Sequence, residues 1–473
     1  MAGNQLLTTL SAIGDGPLPG SETARYATDA TGNYSGLPLA VMRPRTTDEV
    51  SKIVRACATS GVSIVPHGGN SGLVGGAVPL GDAQSVVVSL ERMRAVRDLD
   101  LASNTVTVEA GYLLVEIHEL AAANDRLFPL RHAGLSSQIG GNLSTNAGGT
   151  NVIRYGMARN LVLGIEVVMA DGSVWNGLHH LPKDNTGYDL KQLFIGAEGT
   201  LGIITAAKIR LFPAPKLQTT AWLGLNSCED AIDLLHRCRS ELDEFLSTFE
   251  LMNRHSVERH LSGRKSPLPN VHEWYVLAEF TATSDRVPLE EALLDVLTEA
   301  SNDAIVEDAI IAASARQVQA LWDIREGIPA VLIEEQSCVK GDTGVPVSAI
   351  PEFVTTADSG VRAILPLARI ITFGHVGDGN IHYNVVRPEA MSAQEFAGYR
   401  PAITRVIEEA ALDLKGTLSA EHGLGQKKLH RITEVLSPEE LKLMRTIKLA
   451  LDPQGIMNPG KLIDPRDRSS GVA

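Results

Sequence analysis

The sequence predicts an α+β protein of 473 residues in two or three domains. Three observations lead there. Strands and helices alternate between residues 48 and 122, a Gly- and Asn-rich stretch follows from 139, and the texture changes again after Pro213 and Pro215.

The elements follow in order. In DEVSKIVRACATSG, Val50, Ile53, Val54 and Cys57 recur at helical spacing, with Asp48 and Glu49 in the first turn and Gly61 after the end. VSIVP then reads as a short buried strand that runs directly into HGGNSGLVGG. SVVVSL and TVTVEAG are strands and LLVEIHELAAAN is a helix. IGGNLSTNAGGTNVIRYG is too rich in glycine for an ordinary helix or strand. LGIEVVMADGSVW is two strands joined at Asp171-Gly172. Beyond residue 216, the helix CEDAIDLLHRCRSELDEFL and the strands WYVLAEFTA and ARIITFGHV indicate a second α+β unit. The tail from 421 reads as mostly helical, with PEELKLMRTIKLALDP its clearest helix.

Composition narrows the function. Hydrophobic residues make up 44%, enough for sizeable cores, and the formal net charge is -14. An acidic surface disfavours nucleic acid as a partner. Cys57, Cys228, Cys238 and Cys338 form no C-x-x-C pair and read as reduced thiols. MAGNQLLTTLSAIGDG lacks the pattern of a secretory signal or a transit peptide. No uninterrupted apolar run of about 18 residues is present, so no membrane span is expected and the cytoplasm is the expected location.

Two glycine clusters point to a phosphate-bearing ligand. PHGGNSGLVGG (66–76) follows a strand, where glycines let backbone N–H groups approach phosphate oxygens; IGGNLSTNAGG (139–149) offers the same chemistry. Either cluster alone equally fits a tight structural turn. The nicotinamide fingerprint G-x-G-x-x-G with its acidic partner and the Walker A pattern are both absent.

The order PRTTDEV, VPHGGNSGL, IGGNLSTNAGG, RYG, GAEGTLGIIT and NPGK resembles the vanillyl-alcohol-oxidase type of FAD-binding flavoprotein. Within that group the chain is similar to the D-2-hydroxyglutarate and D-lactate dehydrogenases over nearly its whole length. The resemblance implies a two-subdomain FAD-binding domain of the PCMH type over 1–215. It implies an α+β substrate (cap) domain over 216–420 and a helical C-terminal segment over 421–473 that returns to the flavin. Pro66, Gly68, Gly69, Asn70, Ser71 and Gly72 are implied on one side of the cofactor, and Gly141, Asn142, Asn146 and Gly148 on the other. Glu198, Gly199, Gly202, Ile204 and Asn458 are implied at the ribityl and adenine portions. Asn70 stands where some relatives carry a flavin-linking His, so non-covalent FAD is expected. His132 stands where relatives usually carry another residue and reads as a supporting or surface side chain.

GHVGDGNIHYN (374–384) and SAEHGLG (419–425) carry the second constellation. His375 and His382 are seven apart and would face opposite sides of an unbroken strand, but Gly377 and Gly379 allow a turn that unites them. With Glu421 they make two imidazoles and a carboxylate, a set that suits a catalytic metal; core or capping histidines fit the spacing as well. The resemblance implies His375, His382 and Glu421 as ligands of a divalent metal, zinc. It implies His422 as catalytic base and substrate contact, with Asn384, Arg325 and Lys340 also on the substrate. Pro329 replaces a Thr that relatives carry four residues after the Arg.

The expected reaction is oxidation of a D-2-hydroxy acid to the 2-oxo acid, with hydride passing to flavin. Arg325 and Lys340, two cations in one closed pocket, call for a dicarboxylic substrate such as D-2-hydroxyglutarate or D-malate over D-lactate. An electron-transfer flavoprotein or a quinone is the expected acceptor and a homodimer the expected assembly. A flavin oxidase using O2, a non-catalytic flavin- or metal-binding protein and a metal hydrolase are the alternatives; the last leaves the glycine loops unexplained.

Overall fold

The computed structural model describes residues 2–463 apart from 82–83, 180, 182, 263 and 335–337, so the last ten residues of the expected C-terminal segment lie outside the described residues. Thr46 caps helix α1 (Thr47–Ser60) by accepting from the Glu49 N–H, and Gly61 ends it at φ 63°. Its buried stripe of Val50, Ile53, Val54 and Cys57 packs on a parallel sheet of β1 (Ala40–Met42), β2 (Ser63–His67) and β3 (Ser85–Ser89), in the order β1-β3-β2.

A second sheet contains β4 (Val96–Asp100), β5 (Thr105–Glu109), β6 (Val162–Val168), β7 (Val174–Asn176) and β8 (Ile203–Arg210), ordered β4-β5-β8-β6-β7. Strands β6 and β7 form the hairpin expected around Asp171-Gly172. Helices α2 (Leu114–Ala122) and α3 (Ile139–Ser144) bury their apolar residues against this sheet. Helix α3 corrects the reading of 139–156 as neither helix nor strand. A Cβ on Gly140 would lie 2.7 Å from the Cβ of Ala110, so packing against the end of β5 selects glycine within a helical turn.

Apart from the two-stranded pairing of Arg126–Leu127 with Phe212–Pro213, the remaining strands form one eight-stranded sheet. They are β9 (Leu217–Leu225), β10 (Leu246–Asn253), β11 (Trp274–Ala282), β12 (Asp308–Ile311), β13 (Cys338–Lys340), β14 (Thr343–Gly344), β15 (Arg369–His375) and β16 (Asn380–Val386). The order is β12-β9-β11-β10-β15-β16-β13, with β14 also paired to β16. Alternation sends Phe249, Leu251, Ile370, Ile381, Tyr383 and Val385 to one face. There they meet α4 (Cys228–Leu242), α6 (Leu289–Asn302), α8 (Ile350–Ile364) and α9 (Ala393–Asp413). The opposite face carries α5 (Arg254–Leu261) and α7 (Ala315–Glu334) on Met252, Ile371, Phe373 and Val386. The polar residues of interest lie on this second face.

The tail is less helical than expected. A loop over 421–428 precedes the short turns Leu429–Arg431 and Ile432–Val435, then α10 (Pro438–Leu451). Beyond α10 the chain lies along the first sheet, bridging Met457 to Ile64. Asn458 Nδ2 donates to the carbonyls of Gly76 and Glu198, and the Asn458 N–H to that of Ile64.

Candidate active site

Strands β15 and β16 form a hairpin whose turn, Val376–Asp378, is closed by Gly379 at φ 87°. A Cβ at Gly379 would lie 2.2 Å from the Val345 carbonyl, so no other residue fits. The hairpin turns the odd spacing of His375 and His382 into proximity: Phe373 pairs with His382, and the two imidazole centroids lie 5.5 Å apart. Asn384 follows on the same face, opposite Lys340 on β13.

Directly across from His375, β10 presents Glu250, which is fully buried. Its carboxylate accepts from His375 Nδ1 at 2.6 Å and from Arg325 Nε at 2.7 Å. Burial opposes the charge on Glu250, yet Arg325 and His375 hold it below the usual carboxylate range. Burial likewise opposes charge on His375, but Glu250 raises it to about 9. This corrects one expectation: Arg325 is not an unpaired cation awaiting substrate, because Glu250 already neutralises it. Its guanidinium also lies 4.7 Å from the Phe373 ring centroid. Lys340 is exposed on the sheet edge rather than enclosed, so the two cations do not share one closed pocket. Pro329 lies inside α7, four residues after Arg325, and removes the N–H that the Arg325 carbonyl would receive. Asn384 is buried and its amide donates to the Ile371 and His382 carbonyls.

Glu421 reaches this face from the 421–428 loop. Its carboxylate oxygens lie 3.4 Å from His382 Nε2 and 3.9 Å from His375 Nε2. Tetrahedral ligands about 2.0 Å from zinc lie about 3.3 Å from one another, so the Glu421–His382 edge has the length of a ligand pair, while the His375 edge runs to the other carboxylate oxygen and is longer. Among the described residues the side chains whose ligand atoms all lie within 4.8 Å of one another are Asp342, His382, Glu421 and His422, a group that leaves out His375. Asp342 is the poorer ligand of that group, because its oxygens already accept from Asn380 Nδ2, Ser419 Oγ and the Glu421 and His422 N–H groups. His375 turns Nε2 toward Glu421 with Nδ1 fixed by the Glu250 carboxylate, the arrangement usual behind metal-bound imidazole, and would give up its Nε2 proton to a metal. Burial and neighbouring His375 keep His382 well below its ordinary pKa, hence neutral and able to ligate. His422 stacks on His382 at 5.8 Å with 17° between the planes, and its Nδ1 faces Asp342 at 3.4 Å.

The glycine clusters lie opposite this face. A Cβ on Gly68 would meet the Gly141 Cα at 3.6 Å, which puts the two clusters side by side, and one on Gly148 would lie 3.5 Å from Glu421 Oε2. Asn70 holds φ 52° and donates to the Thr28 carbonyl, while Ser71 and Gly72 are exposed. Ser137 Oγ, Gln138 Oε1, Asn142 Nδ2 and Asn458 Oδ1 are buried without a hydrogen-bond partner among the described residues. Orphaned polar atoms along a glycine-lined groove fit a ligand rich in acceptors and donors, as a flavin dinucleotide is.

Residues 38–177 match the FAD binding domain family, and residues 214–462 the C-terminal domain of FAD linked oxidases. A mitochondrial D-2-hydroxyglutarate dehydrogenase of Danio rerio is 39% identical over 427 residues, covering 89% of this chain and 78% of that protein. A D-2-hydroxyglutarate dehydrogenase of Xanthomonas citri pv. viticola is 35% identical over 454 residues, covering 96% and 95%. The chain belongs to the D-2-hydroxyglutarate dehydrogenase family. It is an FAD-linked oxidoreductase of vanillyl-alcohol-oxidase type. The solved structure of p-cresol methylhydroxylase with substrate bound shares this fold at TM-score 0.75 and 15% identity, over 97% of this chain and 96% of that one.

Within this dehydrogenase-family fold several expected cofactor contacts have other partners. The Glu198 carboxylate accepts from the Leu424 and Gly425 N–H groups at 2.8 and 2.9 Å, and its Oε2 lies 3.8 Å from where a Cβ on Gly76 would be. Gly199 packs on Pro66, Gly202 packs on Val167, and the Ile204 side chain lies in the apolar core of the second sheet. Asn146 Oδ1 accepts from the Arg159 N–H. Sequence reasoning missed Glu250 and Asp342. The one sign of Glu250 was a lone carboxylate amid the apolar residues of LSTFELMN. His132, read as a supporting or surface side chain, is half-buried beside Asn142.

Proposed function

We propose that this chain oxidises D-2-hydroxyglutarate, or a closely related dicarboxylic D-2-hydroxy acid, to the 2-oxo acid with non-covalent FAD and a divalent metal, zinc. The observation behind this reading is the convergence of His375, His382, Glu421 and His422 on one sheet face, next to Gly148 of the glycine groove. Pro66, Gly68, Gly69, Asn70, Ser71, Gly72, Gly141, Asn142 and Gly148 would hold the cofactor, which supplies the hydride acceptor when bound. His375, His382 and Glu421 would hold the metal, whose chemistry is to polarise the substrate hydroxyl.

The remaining work falls to side chains of this chain. His422 takes the hydroxyl proton at Nε2, while Asp342 behind Nδ1 holds the ring and stabilises its charged form. Arg325, anchored through Nε by Glu250, turns its other N–H groups to a substrate carboxylate. Lys340 stands beside Asn384 on the strand edge, in position for the distal carboxylate.

Among the described residues no helix is long and apolar enough to cross a membrane. The cytoplasm as location rests on cysteines that form no C-x-x-C pair and read as reduced thiols. An electron-transfer flavoprotein or a quinone as acceptor and a homodimer as assembly complete the proposal. The deciding experiment is anaerobic flavin bleaching with D- and L-2-hydroxy acids. D-2-hydroxyglutarate and D-malate should bleach faster than D-lactate, and L-enantiomers should fail. Preference for D-lactate would replace the dicarboxylate reading, and no bleaching with any acid would refute the oxidation.

A further inference from the structure

His132 has neighbours that fix its state. Its Nδ1 lies 3.0 Å from the Gly134 N–H and must accept that hydrogen bond, so the ring proton resides on Nε2. Nε2 lies 3.3 Å from Asn142 Oδ1. A protonated Nε2 can only donate, so it obliges Asn142 to turn its carbonyl oxygen toward the imidazole. Burial lowers the His132 pKa, in keeping with a neutral ring that carries one proton.

That orientation fixes where the other end of the amide points. Asn142 is 4% exposed, and its Nδ2 has no acceptor among the described residues. A buried amide donor without a partner costs about 1–3 kcal/mol, so an acceptor belongs there. The neighbouring backbone locates it. Gly149 would place a Cβ 3.3 Å from the His132 Cβ, and Gly148, the next residue, one 3.5 Å from Glu421 Oε2. The donor therefore lies at the end of the groove nearest the reacting cluster.

We infer that His132 is a positioning residue for the bound flavin: through the chain Gly134 N–H to His132 to Asn142, it locks the Asn142 amide as a donor to an acceptor atom of the flavin ring. The inference rests on the FAD reading above. Hydrogen bonds to the ring tune its electronics, and a donor on a ring acceptor favours the electron-rich reduced form.

The test uses the FAD-loaded protein and reads the flavin itself. His132→Leu removes the donor and frees the amide. FAD should dissociate roughly 2- to 12-fold more readily, the worth of one neutral hydrogen bond. The flavin absorption bands should shift and its midpoint potential should become more negative. His132→Gln, whose side-chain N–H can donate to Asn142 Oδ1, should restore both. In an Asn142→Ala background, His132→Leu should move the potential no further. A His132→Leu protein that melts earlier but keeps wild-type bands and potential would show a structural role alone and overturn the inference. A further shift in the Asn142→Ala background would do the same. Wild-type protein that takes up no FAD would sink the cofactor reading as well, whereas a yellow protein indifferent to His132 sinks only this one.

Discussion

Replacing Asp342 by Asn keeps shape and removes charge at a position 3% exposed. In the wild type its two oxygens accept four hydrogen bonds, from Asn380 Nδ2 at 3.1 Å, Ser419 Oγ at 3.1 Å, and the Glu421 and His422 N–H groups at 3.3 and 2.9 Å. Burial opposes ionisation of Asp342, yet His422, His382 and Lys428 hold it well below the usual carboxylate range. Hydrogen bonds to a charged group contribute about 1.5–3 kcal/mol and neutral ones about 0.5–1.5; with the single amide oxygen facing Ser419, Glu421 and His422, three bonds become neutral and the Asn380 donor meets an NH2 and loses its bond, for a cost of about 4–5 kcal/mol. Removing one partner from a buried charge pair costs about 3–5 kcal/mol, a concordant figure. Urea unfolding of Asp342→Asn should show a loss of that size. The chemical effect is separate. Without the anion facing Nδ1, His422 loses what keeps its proton there and Nε2 free, and an imidazole in the wrong tautomer is a poor base. Anaerobic stopped-flow flavin reduction should slow about 10²–10⁴-fold. Asp342→Asn combined with His422→Asn should be no slower than His422→Asn alone, because both act on one proton transfer. A single variant that reduces flavin at near-normal rate would remove Asp342 and His422 as a unit from the mechanism.

Glu250→Ala leaves Arg325 buried without its anion and should cost about 3–5 kcal/mol in urea unfolding; a loss under about 1 kcal/mol would mean that the pair is solvated in solution. Lys340→Met should cut kcat/KM for D-2-hydroxyglutarate only roughly 1.5- to 5-fold and leave D-lactate unchanged, since an exposed ion pair contributes about 0.2–1 kcal/mol. An equal effect on both substrates would free Lys340 of the distal-carboxylate role. Acid precipitation should release the flavin into the supernatant, because Asn70 offers no imidazole for a covalent link; flavin retained in the pellet would contradict this.

Local pattern made the helices and hairpins legible. The stripe of α1 and its Gly61 stop, and the turn of Gly379 between His375 and His382, are written in adjacent residues. Helix α3 was not legible, because Gly140 answers to Ala110 at the end of β5 rather than to helix propensity. Glu250 and Asp342 were hidden for another reason. Glu250 meets Arg325 and His375 from 75 and 125 residues away, and Asp342 meets Glu421 and His422 from 79 and 80. No spacing rule operates over such separations; sheet register brings Glu250 to His375, and tertiary packing of α7 and the 421–428 loop brings the other partners. Glu198 has a long-range partner that its motif does not announce. GAEGTLG sits in a groove-forming segment, yet its carboxylate caps a loop 226 residues downstream.

That capping contact explains how the site can be built from two halves of the chain. His375 and His382 are fixed by the large sheet, whereas Glu421 and His422 sit on a loop with no regular structure of its own. The loop is held from both sides. Asp342 receives its N–H groups from the sheet side, and Glu198 receives those of Leu424 and Gly425 from the groove side. Asn458 then ties the Glu198 carbonyl to Gly76, and Lys448 donates to the carbonyls of Thr200 and Met457. Two buried carboxylates, one from each half, thus set the height of Glu421 and His422 between the histidine hairpin and the glycine groove. A displacement of about 1 Å at such a junction can cost about 10²-fold in rate, so these contacts belong to catalysis although none touches substrate.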